Sequence, residues 1–258
     1  TGRCAKRPNL ITYDMGGTST DVALIYNCQP SVSNEIEIEY AMPIHVPMVD
    51  VRTIGAGGGS IARVNQAGLL EVGPESAGAD PGPICYGLGG DLPTITDANA
   101  LLGRLDIEKF GRGKEKVSLD RIREIFQLKI GNPLGVDAET AASAVLRMAN
   151  TLMAGAIRMV SISLGADPRD FSLFAFGGAG PLHASALASE LGIPEVFVPA
   201  RPGITNALGC VVADLRYDFV RTINTPLDVV ETTVLEEMLL KQYFCLLYTS
   251  DAADDQAS

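Results

Sequence analysis

The chain has 258 residues, 47% of them apolar and 20% charged, which fits a soluble globular protein large enough to bury a substantial core. The net charge of −11, with no stretch rich in Lys or Arg to offset it, argues against a nucleic-acid partner. No apolar run approaches the roughly 20 residues of a membrane span, no secretory signal opens the chain, and the five cysteines form no Cys-x-x-Cys pair, so we expect a cytoplasmic protein without a membrane partner.

The first 93 residues predict strands joined by glycine-rich loops. Apolar and β-branched stretches predict strands at residues 10–13, 21–26, 35–40, 49–54, 61–64 and 69–72. A Gly-Gly pair joins the first two strands, and the loop at residues 55–60 leads into the last two, which form a hairpin around Gly68. The Gly- and Pro-rich segment 73–93 is too long for a simple connection and predicts a functional or packing loop.

Helices dominate the remainder. Cap residues and the helical spacing of apolar residues predict helices at residues 96–105, 118–129, 137–163, 181–192, 203–214 (with its preceding loop) and 231–244. Two short strands, residues 173–176 and 195–198, alternate with these helices. Strands and helices that alternate around glycine turns predict the α/β class.

The stretch LITYDMGGTSTDVALIY, residues 10–26, combines two strands with a polar glycine turn. Asp14 ends the first strand, where its carboxylate can reach a metal ion or its waters, and Asp21 offers a second carboxylate. Gly16 and Gly17 let backbone amides approach an anion. Three hydroxyl donors follow, those of Thr18, Ser19 and Thr20. The turn lacks the Lys of a P-loop and does not run from strand to helix, so spacing alone supports a phosphate loop and a polar hairpin turn equally.

The segment GGAG at residues 177–180 follows a predicted buried strand and opens a helix. The unpaired N–H groups and partial positive charge of a helix N-terminus suit an anion or a nucleotide. Close strand–helix packing that needs small residues is the alternative. His183, in the first turn of this helix, is expected to be neutral if it is partly buried. It could donate a hydrogen bond to nucleotide or substrate, and a satisfied, partly buried histidine is the favoured interpretation.

Other residues carry weaker expectations. The loop at residues 55–60 is flanked by β-branched residues, which favours a close approach of its backbone to a ligand over a flexible spacer. A structural or solvated role is favoured over chemistry for several side chains, namely Glu75, Asp80, Cys85, the helix-capping candidates Asp97 and Asn99, and His45.

Six motifs are together far more specific than each alone. In chain order they read ITYDMGGTSTDVALI, TIGAGGGSIARV, VGPESAGADPGPICYG, TITDANALLGRL, GADPRDFSLFAFGGAGPLHA and PGITNALGCVVADL. The series closely resembles the hydantoinase A/5-oxoprolinase family, which includes acetone carboxylase β-type subunits, over residues 1–244. The remaining segment, CLLYTSDAADDQAS at residues 245–258, resembles a reading frame of a sequencing adapter, and we expect it to be a disordered tail.

The resemblance implies an α/β fold of the actin/Hsp70-like (ribonuclease H-like) ATPase type, with ATP and Mg²⁺ between two lobes. DMGGTSTD matches the phosphate hairpin of the second lobe, and FAFGGAGPLHA resembles its adenosine segment. The first phosphate loop is missing, so we expect a fragment that carries mainly the second lobe and is inactive alone. The candidate catalytic residues are Asp14, which is also the metal candidate, Asp21 and His183. The candidate nucleotide-binding residues are Gly16, Gly17, Thr18, Thr20, Gly177, Gly178, Ala179 and Gly180.

The resemblance also implies a reaction and a partner. In such enzymes ATP phosphorylates the carbonyl oxygen of a cyclic amide, of the hydantoin or 5-oxoproline type, and so makes a leaving group for hydrolysis. The expected partner is a hydantoinase B-type subunit. Two alternatives stay open at this point: a β-type subunit of an ATP-dependent ketone carboxylase, and a nucleotide-binding module without turnover.

Overall fold

The computed structural model describes residues 2–33, 36–38, 42–44, 48–110, 117–213 and 231–254. The chain divides into two units, residues 1–211 and 212–258. His45 and residues 35, 39 and 40 of the strand expected at residues 35–40 lie outside the described residues, and residues 36–38 form a strand as expected.

The described strands are all found in the first unit. They are β1 (Leu10–Met15), β2 (Thr20–Tyr26), β3 (Gln29–Pro30), β4 (Val32–Ser33), β5 (Ile36–Ile38), β6 (Met42–Ile44), β7 (Met48–Val49), β8 (Val51–Ile54), β9 (Ser60–Val64), β10 (Leu70–Ser76), β11 (Ser172–Phe176) and β12 (Val196–Phe197). The described helices are α1 (Gly2–Ala5), α2 (Ile95–Leu101), α3 (Ile107–Phe110), α4 (Leu119–Phe126), α5 (Asn132–Leu134), α6 (Ala138–Ser163), α7 (Gly180–Leu191), α8 (Thr205–Val212) and α9 (Thr232–Asp254).

A mixed sheet forms the framework of the first unit. Strand β1 lies between β2, to which it is antiparallel, and β11, to which it is parallel. Strand β12 extends the sheet parallel to β11, while β3 and β8 both pair with the other edge of β2. The chain passes from β11 to β12 through α7, which is the crossover that parallel neighbours require. The predicted α/β class is confirmed.

Alternation along β1 sets which face of the sheet is buried. Ile11, Tyr13 and Met15 are fully buried, whereas the intervening Thr12 and Asp14 are half-buried. Helices α6 and α7 pack against the sheet and against each other. The hydrophobic core therefore lies between β1 and these two helices, and Asp14 points away from it.

Helix α6 begins where the sequence predicts. The Asp137 side chain accepts a hydrogen bond from the Thr140 N–H at 2.7 Å, an N-cap, and the helix then runs for 26 residues to Ser163. By length and composition alone α6 could cross a membrane, and it is the one helix in the described part of the chain to meet that test. Half of its apolar stretch is buried inside the protein, as in the core helix of a globular domain.

Helix α2 begins earlier than predicted because the cap is Thr94, not Thr96. The Thr94 hydroxyl accepts from the Asp97 N–H, and the Asp97 carboxylate accepts from the Thr94 N–H, a reciprocal capping box. The capping role expected for Asp97 is confirmed. Asn99 does not cap the helix, because it lies in the middle of α2.

Two further helices follow their predicted caps. Ser118 caps α4 as predicted, although the helix passes into a π-helical turn at Gln127–Gly131 before α5. Helix α7 carries Pro181 in its first turn and ends at Gly192, whose φ of +69° is the left-handed conformation that glycine adopts most readily.

The second unit contains α9. We expected this helix to end near Phe244 and residues 245–258 to be disordered, but the helix continues to Asp254. The segment 245–254 contains neither Gly nor Pro, so nothing in its sequence stops the helix. The expected disorder is therefore wrong for residues 245–254, and the adapter origin of the segment stays a prediction.

Candidate functional site

Segments that are far apart in the sequence meet in one cleft beyond the carboxyl ends of β1 and β11. The N–H groups of Gly58 and Gly59 donate to the carbonyls of Gly16 and Gly17 at 2.9 and 2.6 Å. The cleft has a volume of roughly 210 Å³, and its lining residues are Gly16, Gly17, Gly58, Tyr86, Thr96, Asn99, Leu105, Gly178, Ala179 and Leu182. Ligands of open α/β sheets bind at this end of the strands.

A larger groove of about 750 Å³ lies at the other end of β2 and includes Asn9, Tyr26 and Phe171. None of the glycine-rich segments lines it. We therefore place the candidate site in the smaller cleft, where the sequence motifs converge.

The hairpin between β1 and β2 leaves room and hydrogen-bond donors for a ligand. A Cβ atom on Gly17 would contact nothing within 4 Å, and one on Gly16 would reach only the Ser19 carbonyl at 3.9 Å, so packing does not require glycine at either position. The N–H groups of Gly17 and Thr18 have no hydrogen-bond partner among the described residues. Free amides on an exposed glycine turn are the donors that an anion needs.

The loop at residues 55–60 supports this hairpin by close backbone contact. A Cβ atom on Gly57 would lie 2.5 Å from the carbonyl carbon of Thr18. Thr96, at the start of α2, donates to the Gly58 carbonyl through both its N–H and its hydroxyl, each at 2.8 Å. Gly58 lines the cleft, and the predicted approach of this loop to a ligand stays a prediction.

Thr20 does not reach the cleft, and the prediction that it binds phosphate is wrong. Its side chain is fully buried and its hydroxyl donates to the Ala56 carbonyl at 2.5 Å. Period-two alternation places Thr20 on the same face of β2 as the buried Val22 and Leu24. Thr20 therefore anchors the loop at residues 55–60 rather than a ligand.

The two predicted carboxylates are direct cross-strand neighbours. Asp14 on β1 pairs with Asp21 on β2, so both side chains lie on the same face of the sheet. The Asn206 amide donates to Asp14 at 2.5 Å, and the Thr53 hydroxyl donates to Asp21 at 2.5 Å. Each carboxylate keeps one oxygen that has no hydrogen-bond partner among the residues described. Two such adjacent carboxylates suit a cation that retains water, as Mg²⁺ does.

Metal binding by protein side chains alone is not supported. Within the described ranges no group of three or more His, Cys, Asp or Glu side chains lies close enough to hold a metal ion. Because Mg²⁺ is commonly held by one or two carboxylates together with phosphate oxygens, the Asp14 prediction is compatible with this finding and stays a prediction.

The predicted adenosine segment divides into two pairs of residues. Gly178 and Ala179 line the cleft, and a Cβ atom on Gly178 would meet nothing within 4 Å. Gly177 instead packs against β1: it has a φ of +82°, and a Cβ atom there would clash with the Asp14 carboxylate. Gly180 is buried beside Tyr13. Ligand space thus explains the two middle residues of this segment, and strand–helix packing explains the two outer ones.

His183 is a core residue, and the catalytic prediction for it is not supported by its position. The side chain is fully buried; its Nδ1 lies 2.8 Å from Asn150 Oδ1, and its Nε2 lies 3.3 Å from Asn99 Nδ2. Burial, with a contribution from Arg104, lowers the pKa of His183 to about 4, so the ring is neutral as predicted. Both ring nitrogens already have partners inside the protein.

Sequence reasoning missed the roles of Asn206, Thr53, Thr96 and Asn99. The first three hold the carboxylates and the glycine loop, and Asn99 joins His183 to the cleft wall. All four residues lie within the motifs quoted above: Thr53 in TIGAGGGSIARV, Thr96 and Asn99 in TITDANALLGRL, and Asn206 in PGITNALGCVVADL. Their place in these motifs was the signal that the sequence offered. Cys85 behaves as expected, since burial and the nearby Asp97 raise the pKa of its thiol.

The chain matches the hydantoinase/oxoprolinase family model over residues 1–219. Caprolactamase subunit alpha from Pseudomonas jessenii is 42% identical over 232 residues, which cover 88% of this chain and 33% of that protein. The crystal structure of the ATP-dependent caprolactamase from that organism superposes with a TM-score of 0.75 over 84% of this chain and 31% of that chain.

Two other relatives are named for different enzymes, a 5-oxoprolinase and an acetone carboxylase. The 5-oxoprolinase from Dictyostelium discoideum is 40% identical over 227 residues, 83% of this chain and 18% of that protein. The acetone carboxylase beta subunit from Xanthobacter autotrophicus is 33% identical over 228 residues, 87% of this chain and 32% of that protein. A nucleotide-free acetone carboxylase structure superposes with a TM-score of 0.75 over 84% of this chain and 30% of that chain, at 32% identity. The resemblance to the hydantoinase A/5-oxoprolinase family and the α/β ATPase-like fold, both predicted from the sequence, are confirmed. The chain spans about a third of the length of the caprolactamase and acetone carboxylase subunits.

Proposed function

The chain belongs to the hydantoinase/oxoprolinase family, and on that premise we propose that it carries a phosphate-binding part of an ATP-dependent enzyme that opens a cyclic amide. The observation that carries the proposal is the cleft itself, in which Gly16, Gly17 and Gly178 surround open space. Two of the relatives, caprolactamase and 5-oxoprolinase, are named for opening cyclic amides.

ATP, when bound, would supply the phosphoryl group that activates the poorly reactive amide carbonyl. Water would then add to the carbonyl carbon, the ring C–N bond would break, and a second water would release the former carbonyl oxygen with phosphate. The chain's contribution is to position and to neutralise charge. The free N–H groups of Gly17 and Thr18 would hold phosphate oxygens, and Gly178 and Ala179 would face the rest of the nucleotide. Gly58, which Thr96 holds, contacts the hairpin and fixes it in place before the ligand arrives, which lowers the cost of ordering it.

Mg²⁺ is the second proposed cofactor. Asp14 and Asp21 would hold it, directly or through its waters, with phosphate oxygens completing the coordination. Asn206 and Thr53 each occupy one carboxylate oxygen and so orient the two side chains. The charge that a cation brings would offset the repulsion between these cross-strand neighbours.

A hydantoinase B-type subunit is the proposed protein partner, in the cytoplasm. Caprolactamase alpha and acetone carboxylase beta are themselves named as subunits. This likeness supports a hetero-oligomer in which the second subunit completes the machinery for the hydrolytic step.

A ketone carboxylase is the second candidate function. It is favoured by the acetone carboxylase structure, which matches this chain as closely in TM-score as the caprolactamase does. Carboxylation uses the same activation of an oxygen by ATP, but it acts on a ketone and requires bicarbonate, so the two functions differ in their organic substrate and in the need for bicarbonate.

The deciding experiment uses the complete protein encoded at the genomic locus together with its B-type subunit. ADP formation is measured with caprolactam, hydantoin, 5-oxoproline, or acetone plus bicarbonate. The proposal predicts ADP formation with a cyclic amide and no need for bicarbonate. ADP formation only with ketone and bicarbonate establishes the carboxylase, and ADP formation with none of these substrates overturns both functions.

A further inference from the structure

One residue that lines the cleft has a buried hydrogen-bonding atom without a partner among the described residues. Asn99 is 1% exposed, lies in the middle of α2 and lines the cleft. Its Oδ1 is the one buried side-chain nitrogen or oxygen, within the part of the chain that the structure describes, that makes no hydrogen bond. Buried polar groups are nearly always paired, so an unpaired one in a cleft wall needs an explanation.

The surrounding contacts fix which end of the Asn99 amide is unpaired. Its Nδ2 lies 3.1 Å from the Ile95 carbonyl, and a carbonyl oxygen can only accept a hydrogen bond. The same Nδ2 lies 3.3 Å from Nε2 of His183, whose Nδ1 lies 2.8 Å from Asn150 Oδ1. An amide oxygen can only accept, so the His183 proton is on Nδ1 and Nε2 accepts from Asn99. The atom left over is therefore an acceptor, and a donor that pairs with it must come from outside the described residues.

The other residues of this part of the cleft suit a small ring. Tyr86, Leu105 and Leu182 give it apolar walls, and the glycine hairpin with Gly16 and Gly17 forms its polar side. In a small lactam the N–H and C=O groups lie on the same edge of the ring, opposite the methylene groups. A hydrogen bond from the ring N–H to one residue would therefore also fix the direction in which the ring carbonyl points.

We propose that Asn99 Oδ1 accepts a hydrogen bond from the ring N–H of a cyclic amide substrate and so turns its carbonyl oxygen toward the glycine hairpin. This inference rests on the proposed function, and it identifies Asn99 as the residue that selects the class of substrate. Asn99 is then a specificity residue, because a ketone of the same size has no N–H and leaves the buried oxygen unpaired. Asn150 and His183 are positioning residues that hold the amide through its Nδ2.

The test compares caprolactam with cycloheptanone, a ring of the same size in which CH₂ replaces N–H. Dissociation constants are measured for both rings on the complete enzyme with its partner subunit and nucleotide. The unmodified enzyme is expected to bind caprolactam at least about 10-fold more tightly, the scale expected when a built hydrogen-bond site is left unpaired. In Asn99→Leu this preference is expected to shrink to within about 2-fold.

Asn132→Leu is the matched control, because Asn132 is exposed and is not among the residues that line the cleft, and it should keep the full preference. The unmodified enzyme tests the proposal even where Asn99→Leu does not fold, since the ring pair needs no substitution. Equal affinity for the two rings in the unmodified enzyme, or an unchanged preference in folded Asn99→Leu, overturns the inference. The proposed function still stands in that case if the enzyme forms ADP with a lactam. Binding of neither ring overturns both.

Discussion

The N–H of Gly58 donates a hydrogen bond to the carbonyl of Gly16 at 2.9 Å and thereby joins two glycine-rich loops that are 42 positions apart in the chain. Gly59 and Gly17 repeat the contact one residue further on. Because backbone groups of one loop hold the other, the hairpin after β1 keeps its shape without bound ligand. The site is thus preorganised by its own backbone.

Gly17→Ala is predicted to remove activity without unfolding the protein. No atom lies within 4 Å of the added Cβ, and Gly17 does not have a left-handed φ, so the thermal midpoint should stay within about 2 °C. The methyl group occupies ligand space, so ATP-dependent turnover of the complete enzyme should fall at least about 10-fold. Gly155→Ala, equally unhindered but within α6, is the control and should keep full turnover. Unchanged turnover in Gly17→Ala would show that no ligand approaches this turn.

Thr20→Val is predicted to act on stability. The substitution keeps the shape of the side chain but removes the hydroxyl that bonds the Ala56 carbonyl, which should cost roughly 1–3 kcal/mol of unfolding free energy. Thr20→Ser retains the hydroxyl and should lose less. Urea denaturation of the three proteins measures the difference. A Thr20→Val protein of unchanged stability and reduced nucleotide affinity would restore the phosphate role that the structure argues against.

Asp14→Asn is predicted to weaken the use of Mg²⁺ rather than the fold. The replacement keeps an acceptor for Asn206 but removes the negative charge, so kcat/KM should fall on the order of 100-fold and the Mg²⁺ concentration for half-maximal rate should rise. The readout is a Mg²⁺ titration of ADP formation. Asp91→Asn, at an exposed ion pair with Lys129, is the control and should behave as the unmodified enzyme. An Asp14→Asn enzyme with an unchanged Mg²⁺ titration would exclude Asp14 as a metal residue.

His183 is predicted to make stability depend on pH. Its pKa is about 4 in the fold and 6.5 for an ordinary histidine, so between these values the unfolded chain binds a proton that the folded chain does not. The contribution of His183 to the free energy of unfolding is therefore fully present above pH 6.5, and it decreases as the pH falls toward 4. Between pH 7.5 and 5.5 the loss should be about 1 kcal/mol. His183→Gln should lack this part of the slope in urea denaturation, and an identical slope in both proteins would refute the assignment.

Local sequence patterns correctly predicted the helices and strands whose caps, turns and apolar periodicity lie within the element itself. Helix α6 has an Asp137 cap and a long apolar stripe, and α7 has a proline in its first turn and Gly192 at its end, so both were predicted within a residue or two. The hairpin of β1 and β2 followed from β-branched runs around Gly16 and Gly17. Each of these signals is contained in a short window of sequence.

The wrong or missing predictions concern residues whose roles depend on the direction of the side chain or on contacts between distant parts of the chain. Thr20 belongs to the buried face of β2 with Val22, and period two could have revealed this before its hydroxyl was counted as a phosphate donor. The contact between Asn99 and His183 joins positions 84 apart, and Asn206 reaches Asp14 across 192 positions. No local pattern encodes such pairs, because only the packed fold brings them together.

The most direct test of the account follows the carbonyl oxygen of the substrate. A lactam labelled with ¹⁸O at its carbonyl is opened by the complete enzyme with ATP, and the inorganic phosphate released is examined by ³¹P NMR. If the enzyme phosphorylates that oxygen, as we propose for this family member, one ¹⁸O per ring opened appears in phosphate. Ring opening and ADP formation with unlabelled phosphate would contradict the account.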